Sequence, residues 1–346
     1  MAMVVGMFMA ILDIQIVSAS LGEIQAGLSA SPDEVAWVQT SYLVAEIVMI
    51  PMSGWLSRLL STRILFVGSA IGFTIFSLAC SSATSLGEMI VYRALQGFIG
   101  GAMIPTVFAT AFLLFPPDRR PRVMVMIGLT ATLAPTIGPT LGGWLTETFS
   151  WHWLFLINVP FGMAVAVCVW SWLRLDKANL ALRRGFDWIG LALMALFLGN
   201  MEYVLEEGSR WDWFEDDTIV RSTIVACISG VLFFWRMLTR KDPLVDLQTF
   251  RSRNFSIGCL FSFTLGIALY GSVYMIPLFL GQVRGYNSLQ IGETMFVTGF
   301  GMFLSAPIVS FLVKKVDVRL MVTAGLIMTG TAIWWTGHLT KDSAFW

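Results

Sequence analysis

Long apolar runs separated by short charged stretches follow one another along the 346-residue chain. About 20 apolar residues in a helix cross a bilayer core. On that measure the pattern predicts eleven spanning helices, at residues 2–21, 36–56, 64–82, 87–114, 123–146, 152–173, 188–206, 219–238, 255–280, 289–313 and 320–337. The expectation is an all-α membrane protein.

The stretches between the runs sort by charge. Segments 57–63 (Arg58, Arg63), 116–122 (Arg119, Arg120, Arg122), 174–187 (Arg174, Lys177, Arg183, Arg184), 236–254 (Arg236, Arg240, Lys241, Arg251, Arg253) and 314–319 (Lys314, Lys315, Arg319) fall on one side of the predicted spans and hold most of the 22 lysines and arginines. The opposite side carries Glu23, Asp33, Glu34, Glu88, Glu147, Asp212, Glu215, Asp216 and Asp217, with tryptophans near its boundary (Trp37, Trp151, Trp153, Trp211, Trp213, Trp334, Trp335). Basic loops mark the cytoplasmic face and tryptophans the membrane interface. One misplaced span would scramble this order.

Composition narrows the class further. Apolar residues are 56% and charged residues 13% of the chain, against about 25% charged in a soluble domain. Net charge is zero, which leaves no basic face for nucleic acid. Cys80, Cys168, Cys227 and Cys259 stand singly in apolar runs and read as packing residues. With no CxxC pair and only two histidines, His152 and His338, neither a disulfide framework nor a metal site is expected. No GxxxxGK[ST], HExxH or GxSxG pattern occurs, which argues against direct ATP use and against these hydrolase classes. The chain opens inside an apolar run with no basic leader, so a short cytoplasmic leader is expected to be missing.

Two features inside the spans are costly and therefore informative. The run from Val123 to Thr146 has no charge but contains Pro135, Gly138, Pro139, Gly142 and Gly143. Proline removes a backbone donor and crowds the preceding turn, so neighbouring helices must compensate in lipid. Gly138 and Gly142, one turn apart, give a smooth face for close helix contact. The second feature is charge at depth: Asp13 in the first span, Glu46 in the second and Arg93 seven residues into the fourth. Such a charge costs about 2.5–3.5 kcal/mol or more on insertion scales, so it faces a cavity or a partner. A proton relay and a static acid–arginine pair are the two readings. Asp13 and Glu46 are titratable in either; Arg93 stays charged and sets the affinity of its partner for a proton. Gln15, Gln39, Tyr42, Gln96, Tyr270 and Tyr274 are candidates to line a substrate cavity, as are Asn158 and Asn200. Glu202, Glu206 and Glu207 read as an interfacial acidic cluster in water.

The chain also repeats. Pro51 to Arg63 aligns without gaps with Pro307 to Arg319, at an offset of 256: Pro51 matches Pro307, Arg58 matches Lys314 and Arg63 matches Arg319. Transporters are commonly built from two related halves. The expected organisation is a six-helix half over 1–173, an inserted helix pair with its flanks over 174–254, and the first three helices of a second half over 255–346. Three spans would then be missing at the C-terminal end.

These residues carry a family resemblance. The run Leu12 to Val17, containing Asp13, resembles a first-helix motif, Tyr92 to Gly101 with Arg93 and Gln96 a fourth-helix motif, and Gly138-Pro139-x-x-Gly142-Gly143 the fifth-helix antiporter motif, of the fourteen-span drug:proton antiporters of the major facilitator superfamily, the EmrB/QacA group. Gly54, Arg58 and Arg63 resemble the cytoplasmic gating loop after the second helix, with a departure: the wider family has aspartate where this chain has Arg58 and glycine where it has Ser61. The resemblance implies a major facilitator fold with eleven of fourteen helices present, and proton-coupled export of hydrophobic or amphipathic drugs across the bacterial inner membrane. Protons are the coupling ion and no cofactor is expected. A periplasmic adaptor and an outer-membrane channel are the implied partners. The alternatives are an exporter dedicated to one metabolite, such as a siderophore or fatty acid, and a non-transport membrane enzyme or sensor.

Overall fold

The computed structural model describes residues 1–183, 186–240, 243–286, 288–312, 315–338 and 340. The chain begins with α1 (Ala2–Ala19) and two short helices on the acidic side, α2 (Leu21–Leu28) and α3 (Pro32–Val35). Next come α4 (Trp37–Leu60), α5 (Thr62–Ser81), α6 (Leu86–Gly100), α7 (Met103–Leu114) and α8 (Arg120–Thr148). The single turn α9 (Trp153–Leu156) runs into α10 (Asn158–Trp172). A hairpin of α11 (Trp188–Glu207) and α12 (Asp217–Thr239) follows, then α13 (Arg253–Gln282), α14 (Ser288–Leu312) and α15 (Val318–Thr336). With α6–α7 and α9–α10 each counted as one crossing, every predicted span has its helix. Among the described residues, ten helical stretches have the length and apolarity to cross a membrane.

Helix ends follow local chemistry. Ser31 and Glu34 close a reciprocal capping box on α3. Ser85 caps α6, Asp187 caps α11 and Asp216 caps α12, each side chain accepting from a backbone N–H of the first turn. Helix α8 continues through Pro135 and Pro139 as one assigned helix. The hydroxyl of Thr136 donates to the Thr132 carbonyl one turn back, in the stretch where Pro135 removes a donor.

Helices α1, α4–α8 and α10 make one bundle. Its core is a continuous apolar cluster that includes Met7, Ile16, Phe66, Phe73, Met89, Met103, Leu154 and Phe155. A smaller cluster, with Met49, Met52, Leu65, Ala102, Met194, Phe233 and Met237, joins this bundle to α11 and α12. Helix α8 touches α1 on one side and α14 on the other.

Contacts at the two ends reproduce the charge sorting. On the basic side, Asp176 receives Thr62, Asn179 meets Arg58 and Leu59, and Asp187 pairs with Arg236 and Arg240. On the acidic side, Thr40 bonds Glu207 at 2.9 Å, Trp37 stacks on Tyr203 at 5.3 Å, and Trp151 fills the space beside Gly27.

The structure corrects the expected gating loop. Gly54 and Arg58 belong to α4, which runs four residues past its predicted end, and Arg63 belongs to the first turn of α5. Only Ser61 separates the helices. The exposed Arg58 side chain reaches outward and back to the Gly54 carbonyl at 3.4 Å, so a charge in the last helical turn costs little. Lys314, its counterpart in the repeat, lies outside the described residues.

Candidate functional site

The charged residues of the first half converge on one buried cluster. Helix α1 presents Asp13 from its middle, α6 presents Arg93 and Gln96 from adjacent turns of one face, α10 presents Asn158 from its first residue, and α5 contributes Ser77 and Cys80. Asp13, Arg93 and Gln96 are wholly buried. Arg93 Nη1 donates to Asp13 Oδ2 at 2.5 Å and to Gln96 Oε1 at 2.8 Å. Gln96 Nε2 and Asn158 Nδ2 donate to the other carboxylate oxygen, Oδ1, at 3.3 and 2.6 Å. Asn158 also reaches Ser77 Oγ at 3.0 Å, and Ser77 in turn donates to the Phe155 carbonyl at 2.9 Å. Cys80 Sγ touches Gln96 Oε1 at 3.7 Å, so this cysteine packs against the cluster and not only against carbon.

Helix α4 closes the cluster from another side. Arg93 Nε donates to the Val38 carbonyl at 3.2 Å, and the guanidinium lies 4.2 Å from the centre of the Tyr42 ring. Such stacking suits arginine, whose planar cation is weakly hydrated. Within this cluster, two sealed polar atoms have no hydrogen bond among the described residues: Arg93 Nη2 and the Tyr42 hydroxyl. Buried polar groups are normally paired, so unpaired ones mark stored strain or a function. Asp13 is well satisfied by comparison, with three donors on two oxygens. Taking one partner from a buried ion pair typically costs about 3–5 kcal/mol.

Glu46 stands apart. It is 7% exposed, and its carboxylate has no hydrogen bond among the described residues. The charges of Arg93, Asp13 and Glu202 all act on it. Arg93 thus joins Asp13 and leaves Glu46 as a separate buried acid.

The cavity candidates divide. Tyr42 and Gln96 are sealed into the cluster with no exposed surface, which corrects their expected place on a cavity wall. The reason is the rotational phase of α4 and α6, which turns both toward Arg93. Gln15 and Gln39 are half-buried, and Gln39 Oε1 has no partner. Tyr270 is 54% exposed and feels the charge of Glu46. The Tyr274 side chain lies outside the described residues. Glu207 departs from the interfacial reading: it is buried in the α4–α11 seam, bonded to Thr40 and 3.7 Å from Arg210. Sequence reasoning did not place Asn158 or Gln96 on Asp13, nor Ser77 behind Asn158. Asn158 showed only as a polar residue in a span, and Ser77 gave no signal.

The glycine and proline run of α8 lies directly behind the cluster, against the half of α1 that follows Asp13. Gly138 abuts Gln15. A side chain on Gly142 would begin 2.8 Å from the Ile16 carbonyl oxygen and 3.1 Å from the Ile16 Cα. Neither position has room for a Cβ: at Gly142 the Ile16 main chain is in the way, and at Gly138 the Gln15 Cβ. Pro135 is buried in the same face, while Pro139 and Gly143 are half-buried beside it.

Mid-depth charge on helices packed in this order, with a hydrogen-bonded acid at the centre, fits a secondary transporter. Residues 3–346 match the family model of the Major Facilitator Superfamily, and the chain belongs to that superfamily. It is 49% identical to the colistin resistance protein EmrB of Acinetobacter baumannii, across all of this chain and 68% of that protein. It is 33% identical to the multidrug export protein EmrB of Escherichia coli K12, across 96% of this chain and 64% of that one. The chain thus spans about two thirds of the length of these relatives. Among solved structures, the peptide transporter POT in complex with sulfate superposes with a TM-score of 0.62 at 16% identity, over 98% of this chain and 74% of that one. The protein is a multi-pass inner-membrane transporter and not an enzyme.

Proposed function

We propose that this chain carries the proton-coupling half of an exporter of hydrophobic or amphipathic compounds. One observation carries the reading: Asp13 is a titratable group with no exposure whose bonds tie α1 to both α6 and α10. As a carboxylate it holds Arg93, Gln96 and Asn158 together. A proton on Asp13 neutralises the acceptor, weakens the pair with Arg93 and loosens the junction of three helices. Arg93 keeps its charge and turns to the groups that remain, the Val38 carbonyl and the Tyr42 ring. Substrate arriving from the basic side favours one arrangement and a proton arriving from the acidic side favours the other. Coupling needs only that each ligand prefer a different state. Glu46 is the second acid on this route. Protons are the coupling ion, and no other cofactor is required.

In this reading residues 1–173 form the first half, 174–254 the inserted pair with its flanks, and 255–346 the start of the second half. Similarity to multidrug export proteins supports a drug substrate. A periplasmic adaptor and an outer-membrane channel are the partners that the resemblance to the EmrB/QacA group implies. The turn between α11 and α12 suits the adaptor: Trp211, Trp213 and Phe214 are exposed there beside Asp212 and Glu215. Cross-linkers at Asp212 and Glu215 should capture the adaptor. Its capture only elsewhere on the acidic face would reject this surface.

The function is tested in inverted vesicles that hold the intact transporter and are acidified inside. Adding a fluorescent lipophilic cation should load the dye and raise the internal pH together. Dye uptake with no proton exit would contradict proton coupling, and no uptake would contradict export.

A further inference from the structure

The turn between α4 and α5 is strained, and the strain is concentrated in one residue. Ser61 has φ 81° and ψ 149°. That region is essentially open only to glycine, and another residue there is strained unless its surroundings impose the conformation. Ser61 is buried, and its hydroxyl does only a modest job, accepting from Ile64 N at 3.4 Å.

The surroundings that impose it come from 114 residues away. Asp176, in the segment that leaves the first half, accepts from Thr62 N at 3.0 and 2.9 Å and from Thr62 Oγ1 at 2.8 Å. Three residues on, Asn179 N donates to the carbonyls of Arg58 at 3.2 Å and Leu59 at 3.1 Å. The first N–H of α5 and two of the last carbonyls of α4 are therefore satisfied by one passing strand. These are groups that a helix end cannot satisfy internally. A carboxylate is also the favoured charge at a helix N-terminus.

The repeat shows what this replaces. Position 317 is the counterpart of Ser61. Asp317 caps α15 from within its own turn, accepting from Arg319 N at 2.8 Å, with an unstrained φ of −59°. The second copy carries its own carboxylate at the helix start. The first copy has serine there and receives its carboxylate from the linker.

We propose that Asp176 is a positioning residue for transport. Together with Asn179 it straps the linker over the α4–α5 turn and holds Ser61 in its glycine-like conformation. This sets the angle at which α4, bearing Tyr42 and Glu46, meets α5, bearing Ser77 and Cys80. The consequence for transport rests on the exporter reading above; the strap itself does not.

Two readouts on the intact transporter in proteoliposomes separate these. Amide hydrogen exchange over residues 58–66 reads the strap. Asp176→Ala should raise exchange there roughly ten-fold, the scale of one lost charge-assisted hydrogen bond. It should lower the maximal rate of dye transport with KM unchanged, because the turn lies at the basic end of the helices, away from the buried cluster. Asp176→Asn keeps an acceptor for Thr62 and should fall between Ala and the parent. The decisive variant is the double change Ser61→Gly with Asp176→Ala. Glycine needs no tie to adopt φ 81°, so it should restore the rate, and protection at every amide of the turn but that of Thr62, whose acceptor is gone. Unchanged exchange in Asp176→Ala, or a double variant no better than the single one, would overturn the proposal. A parent protein that shows the strap in exchange but moves no dye would instead reject the exporter reading.

Discussion

The six-span bundle and the inserted hairpin are built from equally apolar helices, yet they place their polarity in opposite ways. In the bundle the strongest polar contacts lie at mid-depth, where Asp13, Arg93, Gln96 and Asn158 share one sealed site. In the hairpin they lie at the ends. Asp187 binds Arg236 and Arg240 at the basic end, and Glu207 binds Thr40 at the acidic end. Between those ends, α11 and α12 pack through Met194, Phe197, Gly230 and Phe233. Charge at the end of a helix is cheap because water or a headgroup is near; charge in the middle must be repaid by function or by strain. The difference separates a part that anchors from a part that switches.

Removing the central cation should have the largest effect. Arg93→Ala leaves Asp13 buried with its charge unpaired, a change typically worth about 3–5 kcal/mol. The variant should insert poorly or melt far below the parent. Arg93→Lys should restore folding without restoring the bond to Val38, because ammonium lacks the planar fork. A parent-like melt of Arg93→Ala would place the stability of the bundle elsewhere.

The next largest effect lies where α8 backs the cluster. Gly142→Leu drives a branched side chain against the Ile16 main chain, and overpacking of this kind costs about 1–3 kcal/mol. The protein should insert normally, with transport lost or leaky. Wild-type efflux would mean that α1 and α8 move apart freely.

The smallest effect should come from the hairpin. Burial raises the proton affinity of Asp187, but the Arg236 hydrogen bond, the Gly190 N–H and the charges of Arg240 and Arg236 outweigh it and hold the carboxyl below the usual range. A group whose folded pKa is depressed stabilises above its unfolded value of about 4 and loses that contribution as pH falls through the folded value. Asp187→Asn should therefore cost at most about 1 kcal/mol near neutrality, since the arginines are partly solvated, and nothing once the parent carboxyl is protonated. Melting curves at pH 7 and below pH 4 check this. An effect as large as that of Arg93→Ala would erase the contrast between the two regions.

Much of this was readable from residue order alone. Spans, sidedness and the closeness of Gly142 to another helix follow from apolar length, loop charge and residue size. Asp13, Glu46 and Arg93 stand out because a charge in an apolar run is conspicuous. What the order does not show is rotational phase. Whether Arg93 meets Asp13 or Glu46 depends on how α1, α4 and α6 are turned about their axes, and so does the sealing of Tyr42 and Gln96. Ser77 resembles any other serine in a span. Asp176 is one acid in a polar segment, and only the fold brings it to Thr62. The single-residue turn at Ser61 was nearly hidden: serine gives no sign of a positive φ, and the one hint was the glycine that the wider family has there.

The central claim is that Asp13 is the group that gives up a proton when substrate binds. It is tested most directly by adding a lipophilic cation to the detergent-solubilised intact transporter in weak buffer and recording proton release. The parent should release protons on binding. Asp13→Asn, which keeps size and one acceptor oxygen but cannot titrate, should bind the cation and release none. Undiminished release from Asp13→Asn would contradict the account and move the coupling to Glu46.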